Sequence, residues 1–95
     1  MATTVGLLHL SLNVSDAQSL KDKRRTVKSF KDRLASRHNV SVAEVDSLDH
    51  RSRAVLAIAM VGNDRRYLEG IAQSIINAAT SRREMIVLNT QIEWL

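Results

Sequence analysis

The chain has 95 residues, of which 44% are hydrophobic and 25% charged, and its formal net charge is +4. This length suits one domain with one core, and the composition is too apolar for a disordered chain. Because the sequence contains no cysteine, disulfides and thiolate metal sites are excluded. With no signal peptide and no apolar run near the ~20 residues of a membrane-spanning helix, residues 1–95 are predicted to form a single cytoplasmic domain that does not contact a membrane.

The first predicted element is a strand over residues 5–14, in which apolar and polar side chains alternate. Its apolar face is formed by Leu8, Leu10, Leu12 and Val14, and its polar face by His9, Ser11 and Asn13. Residues 16–19 then supply turn and cap chemistry, with Ser19 and Asp22 at the S-x-x-D spacing of a capping box. A helix is therefore predicted to begin near Leu20.

The predicted first helix carries most of the positive charge of the chain. Residues 19–37 hold eight of the fourteen Lys and Arg residues, so that residues 16–37 have a charge of +5 and the remainder −1. One helical stripe is apolar and should pack on a sheet: Leu20, Val27, Phe30 and Leu34. A neighbouring arc, about 120° wide, is cationic: Lys21, Arg24, Arg25, Lys28 and Lys31. Lys23 projects into the apolar stripe, where its aliphatic stem can lie while its ammonium group reaches water.

The rest of the chain continues as strands and one further helix. Residues 39–46 are predicted to form an edge strand, because the apolar parity changes within it as a β-bulge or an edge-strand twist would produce, and residues 46–53 a hairpin loop. Residues 54–61 are apolar at every position, as in a central strand. A turn at residues 62–64 precedes a second helix. Residues 86–94 then form a fourth strand, with one face made of Ile86, Leu88, Ile92 and Trp94.

The element order βαββαβ predicts an α+β fold. Applied to the two βαβ units, the preference for right-handed crossovers gives a four-stranded antiparallel sheet in the order 4-1-3-2, with both helices on one face. This arrangement is the ferredoxin-like sandwich. It leaves the other face of the sheet open, and it is compatible with many functions.

The basic helix is the strongest candidate for a functional site, although an ordinary solvated helix face is the alternative. Lys and Arg crowd its first turns, where the macrodipole favours acidic residues, and three aspartates cannot neutralise eight cations. Such a helix suits a polyanion, so the predicted partner is RNA or the ribosome, bound through phosphates with little sequence selectivity. The predicted nucleic-acid-binding residues are Lys21, Lys23, Arg24, Arg25, Lys28, Lys31, Arg51 and Arg53. Arg65 and Arg66 are an alternative extension of this surface.

The open face of the predicted sheet suggests a different function. Base stacking is not expected there, because the positions that carry aromatic residues in many RNA-binding sheets hold His9, Ser11, Ala57 and Ala59. A shallow apolar patch on this face favours self-association as a homodimer: Val5, Leu7, Ala57, Ala59 and Val87. The alternative function is therefore a homodimeric protein-interaction or regulatory module whose cationic helix binds an acidic partner.

No catalytic residue, cofactor or small-molecule substrate is predicted. The serines lack a G-x-S-x-G setting, and no glycine-rich phosphate loop occurs. Asp46, Asp49 and His50 are close in the hairpin loop, but Arg51 and Arg53 oppose a cation there, so an Asp–Arg interaction across the loop is expected instead of a metal site. An enzyme that holds a small anionic substrate at the start of the first helix is a third alternative.

Five segments carry a resemblance that covers essentially the whole chain: VGLLHLSL, SLKDKRR, NVSVAEVD, RAVLAIAMVGND and the terminal strand. Together they resemble the YlxP-like family of small bacterial proteins, a domain of unknown function. The SLKxKR helix start and the NVSVAEVD strand are the most specific of them. The resemblance implies a ferredoxin-like fold and no established enzymatic activity. Members are typically encoded among genes for transcription antitermination, translation initiation and ribosome maturation, which implies a connection to RNA or the ribosome by association.

Overall fold

The strands and helices alternate in the order βαββαβ. The computed structural model describes residues 1–95. Its elements are β1 (Thr4–Val14), α1 (Leu20–Arg37), β2 (Val40–Asp46), β3 (Arg53–Gly62), α2 (Arg65–Thr80) and β4 (Met85–Trp94). The strands form one antiparallel sheet in the order β2-β3-β1-β4, which reads 4-1-3-2 from the β4 edge. The fold is therefore α+β, with the element order of ferredoxin-like proteins.

Both helices cover the same face of this sheet. The apolar face predicted for β1 is buried, as are Leu56, Ile58 and Met60 of β3, and these side chains meet the helices in a single cluster. In α1 the predicted stripe is confirmed at Val27, Phe30 and Leu34, whereas Leu20 at its margin is only half-buried. Because both helices use one face, the other face of the sheet has no cover within the chain.

The start of α1 follows the predicted cap. Ser19 Oγ accepts a hydrogen bond from the backbone N–H of Asp22 at 3.1 Å. Asp22 Oδ2 in turn accepts from the backbone N–H of Gln18 at 3.2 Å, one residue further back than a capping box requires. Asp22 is the one acidic residue in the first turn, so the cationic residues that follow it sit against the helix dipole.

β2 contains a bulge, one of the two features that the change of apolar parity suggested. Its pairing with β3 shifts between Glu44 and Asp46, which leaves Val45 unpaired and 48% exposed. As predicted, β2 lies at the edge of the sheet. Glu44, just before the bulge, shares the inward parity of Val40 and Val42, and the strand turns towards the hairpin after it.

A second bulge, in β4, was not predicted from the sequence. Leu88 is the extra residue, because Val87 pairs with Leu12 and Asn89 pairs with Ser11. Val87 therefore packs against the core, and its predicted place in the open-face patch is wrong. Ile86 lies on the open face instead and is 53% exposed. The predicted single apolar face of this strand is thus divided at the bulge.

Gly6 in β1 should not tolerate a larger side chain, because the indole ring of Trp94 covers it. A Cβ atom at Gly6 would lie 2.7 Å from Trp94 Cζ3, so one of the two must move. We expect Gly6→Ala to lower the free energy of unfolding by about 1 to 3 kcal/mol, as overpacking does. Denaturant unfolding followed by the fluorescence of Trp94, the one tryptophan, measures this loss.

Gly70 provides the matched control. It is exposed in the interior of α2, and a Cβ atom there meets nothing within 4 Å. Gly70→Ala should therefore raise the free energy of unfolding by about 0.5 to 1 kcal/mol, because alanine favours the helix. Equal effects of the two substitutions would contradict the packing of Trp94 on Gly6.

Candidate nucleic-acid interface

Five cationic residues of α1 form one continuous surface, here called the basic face: Lys21, Arg24, Arg25, Lys28 and Lys31. Four of them are exposed, and Lys31, on the side nearest the buried stripe, is half-buried. Only Lys28 forms a salt bridge, with Asp32 at 2.7 Å, and that pair is largely in solvent. An exposed i,i+4 pair of this kind is weak. The basic face therefore keeps most of its positive charge.

The charge is not uniform along the basic face. Arg25, at its far edge, lines a shallow cleft together with three carboxylate residues, Asp16, Asp22 and Glu84. No salt bridge joins Arg25 to any of them. Even so, the nearby negative charge lowers the attraction of this end for an anion. The least compensated positive charge is at Lys21, Arg24 and Lys31.

Lys23 does not belong to the basic face. Its side chain is 0% exposed, and the predicted route of its ammonium group to water is wrong. Lys23 Nζ instead donates to Glu44 Oε2 at 2.7 Å and to three backbone carbonyls: Ser47 at 3.0 Å, Leu48 at 3.3 Å and Arg53 at 3.1 Å. The burial of the Lys23 ammonium group is tolerated because four acceptors surround its three N–H donors. With its donors occupied inside the protein, Lys23 is not available to a phosphate.

The hairpin between β2 and β3 is shaped to supply these acceptors. Ser47 has a φ of 60°, the left-handed region that few residues other than glycine adopt, and its N–H donates to Asp46 Oδ1 at 2.7 Å. Further along, His50 Nδ1 accepts from the backbone N–H groups of Ser52 at 3.1 Å and Arg53 at 3.0 Å. No salt bridge crosses the loop, so the predicted Asp–Arg interaction is wrong. Side-chain-to-backbone bonds hold the loop instead.

Lys23 fastens the hairpin to the first turns of α1 through its bonds to backbone carbonyls. The predicted place of Arg53 beside the cations of α1 is not found, because Arg53 pairs with Asn13 and its side chain therefore lies on the open face of the sheet. Arg65 and Arg66 lie elsewhere, because α2 begins just after Gly62, at the opposite end of β3 from Arg53. The guanidinium of Arg65 lies 4.8 Å from the centre of the Trp94 ring. Of the two predicted extensions, the hairpin is the one next to α1.

Sequence reasoning missed Glu44, the carboxylate partner of Lys23. A signal was present, since Glu44 shares the inward parity of Val40 and Val42, and an acidic residue that faces a core needs a cation. Glu44 lies in the NVSVAEVD strand and Lys23 in the SLKDKRR helix start. The two segments that carry the family resemblance most specifically therefore meet in this ion pair.

The open face of the sheet carries no Phe, Tyr or Trp side chain at its centre. His9 pairs with Ala57 and Leu7 with Ala59, which makes the middle of the face flat.

No group of three or more His, Asp or Glu side chains is placed to hold a metal ion. Neither helix combines the length and the apolarity that crossing a membrane requires.

These features define a small α+β protein with a one-sided cationic helix fastened to a hairpin. The chain belongs to the family described as "Protein of unknown function (DUF503)", whose pattern matches residues 5–92. It is 30% identical over 90 residues to the uncharacterized protein YlxP of Bacillus subtilis strain 168, an alignment that covers 95% of this chain and 98% of that protein. The family resemblance noted in the sequence is thereby confirmed.

Proposed function

We propose that this protein binds structured RNA, and ribosomal RNA in particular, by laying the basic face of α1 along the phosphates. The single observation that supports this proposal most is the lack of charge compensation. Four of the five cations on the basic face form no salt bridge, and three of these, Lys21, Arg24 and Arg25, lie in the first turns of α1, against the helix dipole. An anionic partner removes both penalties at once.

The dimensions of the basic face suit several phosphates. At 1.5 Å per residue, Lys21 and Lys31 are about 15 Å apart along the helix axis. Arg51, in the hairpin that Lys23 fastens to α1, is the one hairpin cation that could extend this surface beyond the start of the helix. No Phe, Tyr or Trp side chain is exposed on α1, so recognition rests on the shape and charge of the RNA backbone.

Binding of this kind should depend steeply on salt. If three to five phosphates are engaged, the logarithm of the association constant should fall with the logarithm of the salt concentration with a slope of about 2 to 4.5. Fluorescence anisotropy of a labelled RNA hairpin, titrated with the protein at several salt concentrations, measures this slope. Affinity that does not change with salt would contradict phosphate contacts as the basis of binding.

A second candidate function is a homodimeric interaction module that binds an acidic protein through α1. The observation in its favour is the uncovered face of the sheet, on which Val61 and Ile86 are each 53% exposed. Apolar exposure of this kind is typical of self-association surfaces. A complex with an acidic protein that survives nuclease treatment would favour this function over RNA binding.

A further inference from the structure

A second group of cations lies on the opposite flank of α1, between the ends of the two helices. A cleft of about 350 Å³ opens there. It is lined by Phe30, Arg33, Arg37, Ala78, Ser81 and Arg82. Every charged residue of the cleft is an arginine, and no carboxylate residue lines it. The cleft is therefore a concave, wholly cationic surface, separate from the basic face.

Arg82 is held in place within this cleft. Its guanidinium lies 5.2 Å from the centre of the Phe30 ring, and its Nη1 lies 3.4 Å from Glu84 Oε1. The side chain is only 19% exposed. A guanidinium has five N–H donors, and the single contact with Glu84 leaves most of them for another acceptor. Arg82 thus presents a fixed donor group to the cleft.

Arg33 and Arg37 add two guanidiniums that have no partner. They are one helical turn apart, both are exposed, and neither side chain forms a salt bridge or a hydrogen bond. Like charges at i and i+4 repel, and Arg82 places a third cation at the same cleft. Arg37 in the last turn of α1 and Arg82 just past the end of α2 lie at helix C-termini, which favour a cation, whereas Arg33 lies one turn earlier and has no such support.

We propose that this cleft binds a phosphoryl group. Planar guanidiniums bind phosphate oxygens in pairs of parallel hydrogen bonds, and three of them around one space match a multiply charged oxyanion. The volume is roughly ten times the ~30 Å³ share of one water, which is room for a diphosphate or for a phosphate with its sugar. The group can come from a free phosphate compound or from a nucleic acid. The site does not depend on the RNA binding proposed for the basic face.

The test uses inorganic pyrophosphate and the full chain. In ¹⁵N NMR titrations at constant ionic strength, pyrophosphate should shift the side-chain Nε–H signals of Arg33, Arg37 and Arg82 in a saturable way. Arg37→Gln should weaken binding by roughly tenfold or more, because it removes a charged donor. Arg66→Gln, which changes an exposed arginine outside the cleft, should leave the affinity unchanged. Arg37 is exposed, so its replacement leaves the core intact.

The RNA hairpin used above separates the two sources of phosphate. Loss of pyrophosphate binding alone in Arg37→Gln assigns a free phosphate compound, and a matching loss of RNA affinity assigns a phosphate of the nucleic acid. Absence of saturable shifts at the three arginines would overturn the proposal, as would equal weakening by Arg37→Gln and Arg66→Gln. RNA binding through Arg24 is measured independently, so failure of the phosphoryl site and failure of the proposed function can be told apart.

Discussion

Lys23→Met should lower the free energy of unfolding by about 3 to 5 kcal/mol, the usual effect of breaking a buried ion pair from one side. The substitution keeps the length of the side chain but removes the only cation near Glu44, whose side chain is 12% exposed. It also leaves the carbonyls of Ser47, Leu48 and Arg53 without their donor. Because a domain of this kind is stable by only about 5 to 15 kcal/mol, the variant should lose a substantial share of its stability. Denaturant unfolding followed by Trp94 fluorescence measures the effect.

Lys28→Met is the matched control for this prediction. It removes a lysine from the same helix and breaks a salt bridge of the same 2.7 Å length, but both partners of that bridge are exposed. Its effect should be below about 0.5 kcal/mol. The double variant Lys23→Met with Glu44→Leu should regain part of the lost stability, because no charge is then left buried. Similar losses for Lys23→Met and Lys28→Met would contradict the role of Lys23.

Reversing two charges on the basic face should abolish RNA binding. In the double variant Arg24→Glu with Lys28→Glu, two phosphate contacts are lost and two negative charges face the negatively charged backbone of the RNA. Since such a juxtaposition costs several kcal/mol, affinity should fall by about a hundredfold or more. Both residues are exposed, so the fold should persist, with a loss of about 0.5 kcal/mol because the glutamate introduced by Lys28→Glu repels Asp32. Anisotropy with the RNA hairpin, beside circular dichroism of the variant, measures the two effects.

A control with the same change in net charge tests whether the position matters. Arg65→Glu with Arg66→Glu alters the charge by the same amount at the opposite end of the sheet. Its effect on RNA affinity should be small and should come only from the overall charge of the protein. If the two double variants lose affinity equally, net charge rather than the basic face accounts for binding.

Much of the fold follows from local patterns in the sequence. The alternation of β1 and the stripe of Val27, Phe30 and Leu34 identify the faces that pack together, because their periods of two and 3.6 residues are unambiguous. Ser19 marks the start of α1 because its side chain can accept from the first free N–H groups. In these cases the signal lies within a few residues of the element that it specifies.

The parts that the sequence did not predict depend on contacts between distant segments. Lys23 was expected to reach water because its acceptors, Glu44 and the hairpin carbonyls, lie more than twenty residues away along the chain. No change in the composition of β4 marks the bulge at Leu88, so only the pairing of β4 with β1 reveals it. The cleft of Arg33, Arg37 and Arg82 likewise needs both helices to be in place. The exposed cations of α1, by contrast, were identified by helical periodicity alone.

The basic face of α1 is expected to meet RNA in the cell, and crosslinking in living cells followed by sequencing of the bound RNA is the direct test of this. The wild-type protein should yield reproducible RNA fragments, and the double variant Arg24→Glu with Lys28→Glu should lose them while the protein remains folded. Strong crosslinks to protein without recovery of bound RNA would contradict RNA binding by this face. RNA recovered equally from the wild type and the variant would show that another surface is responsible.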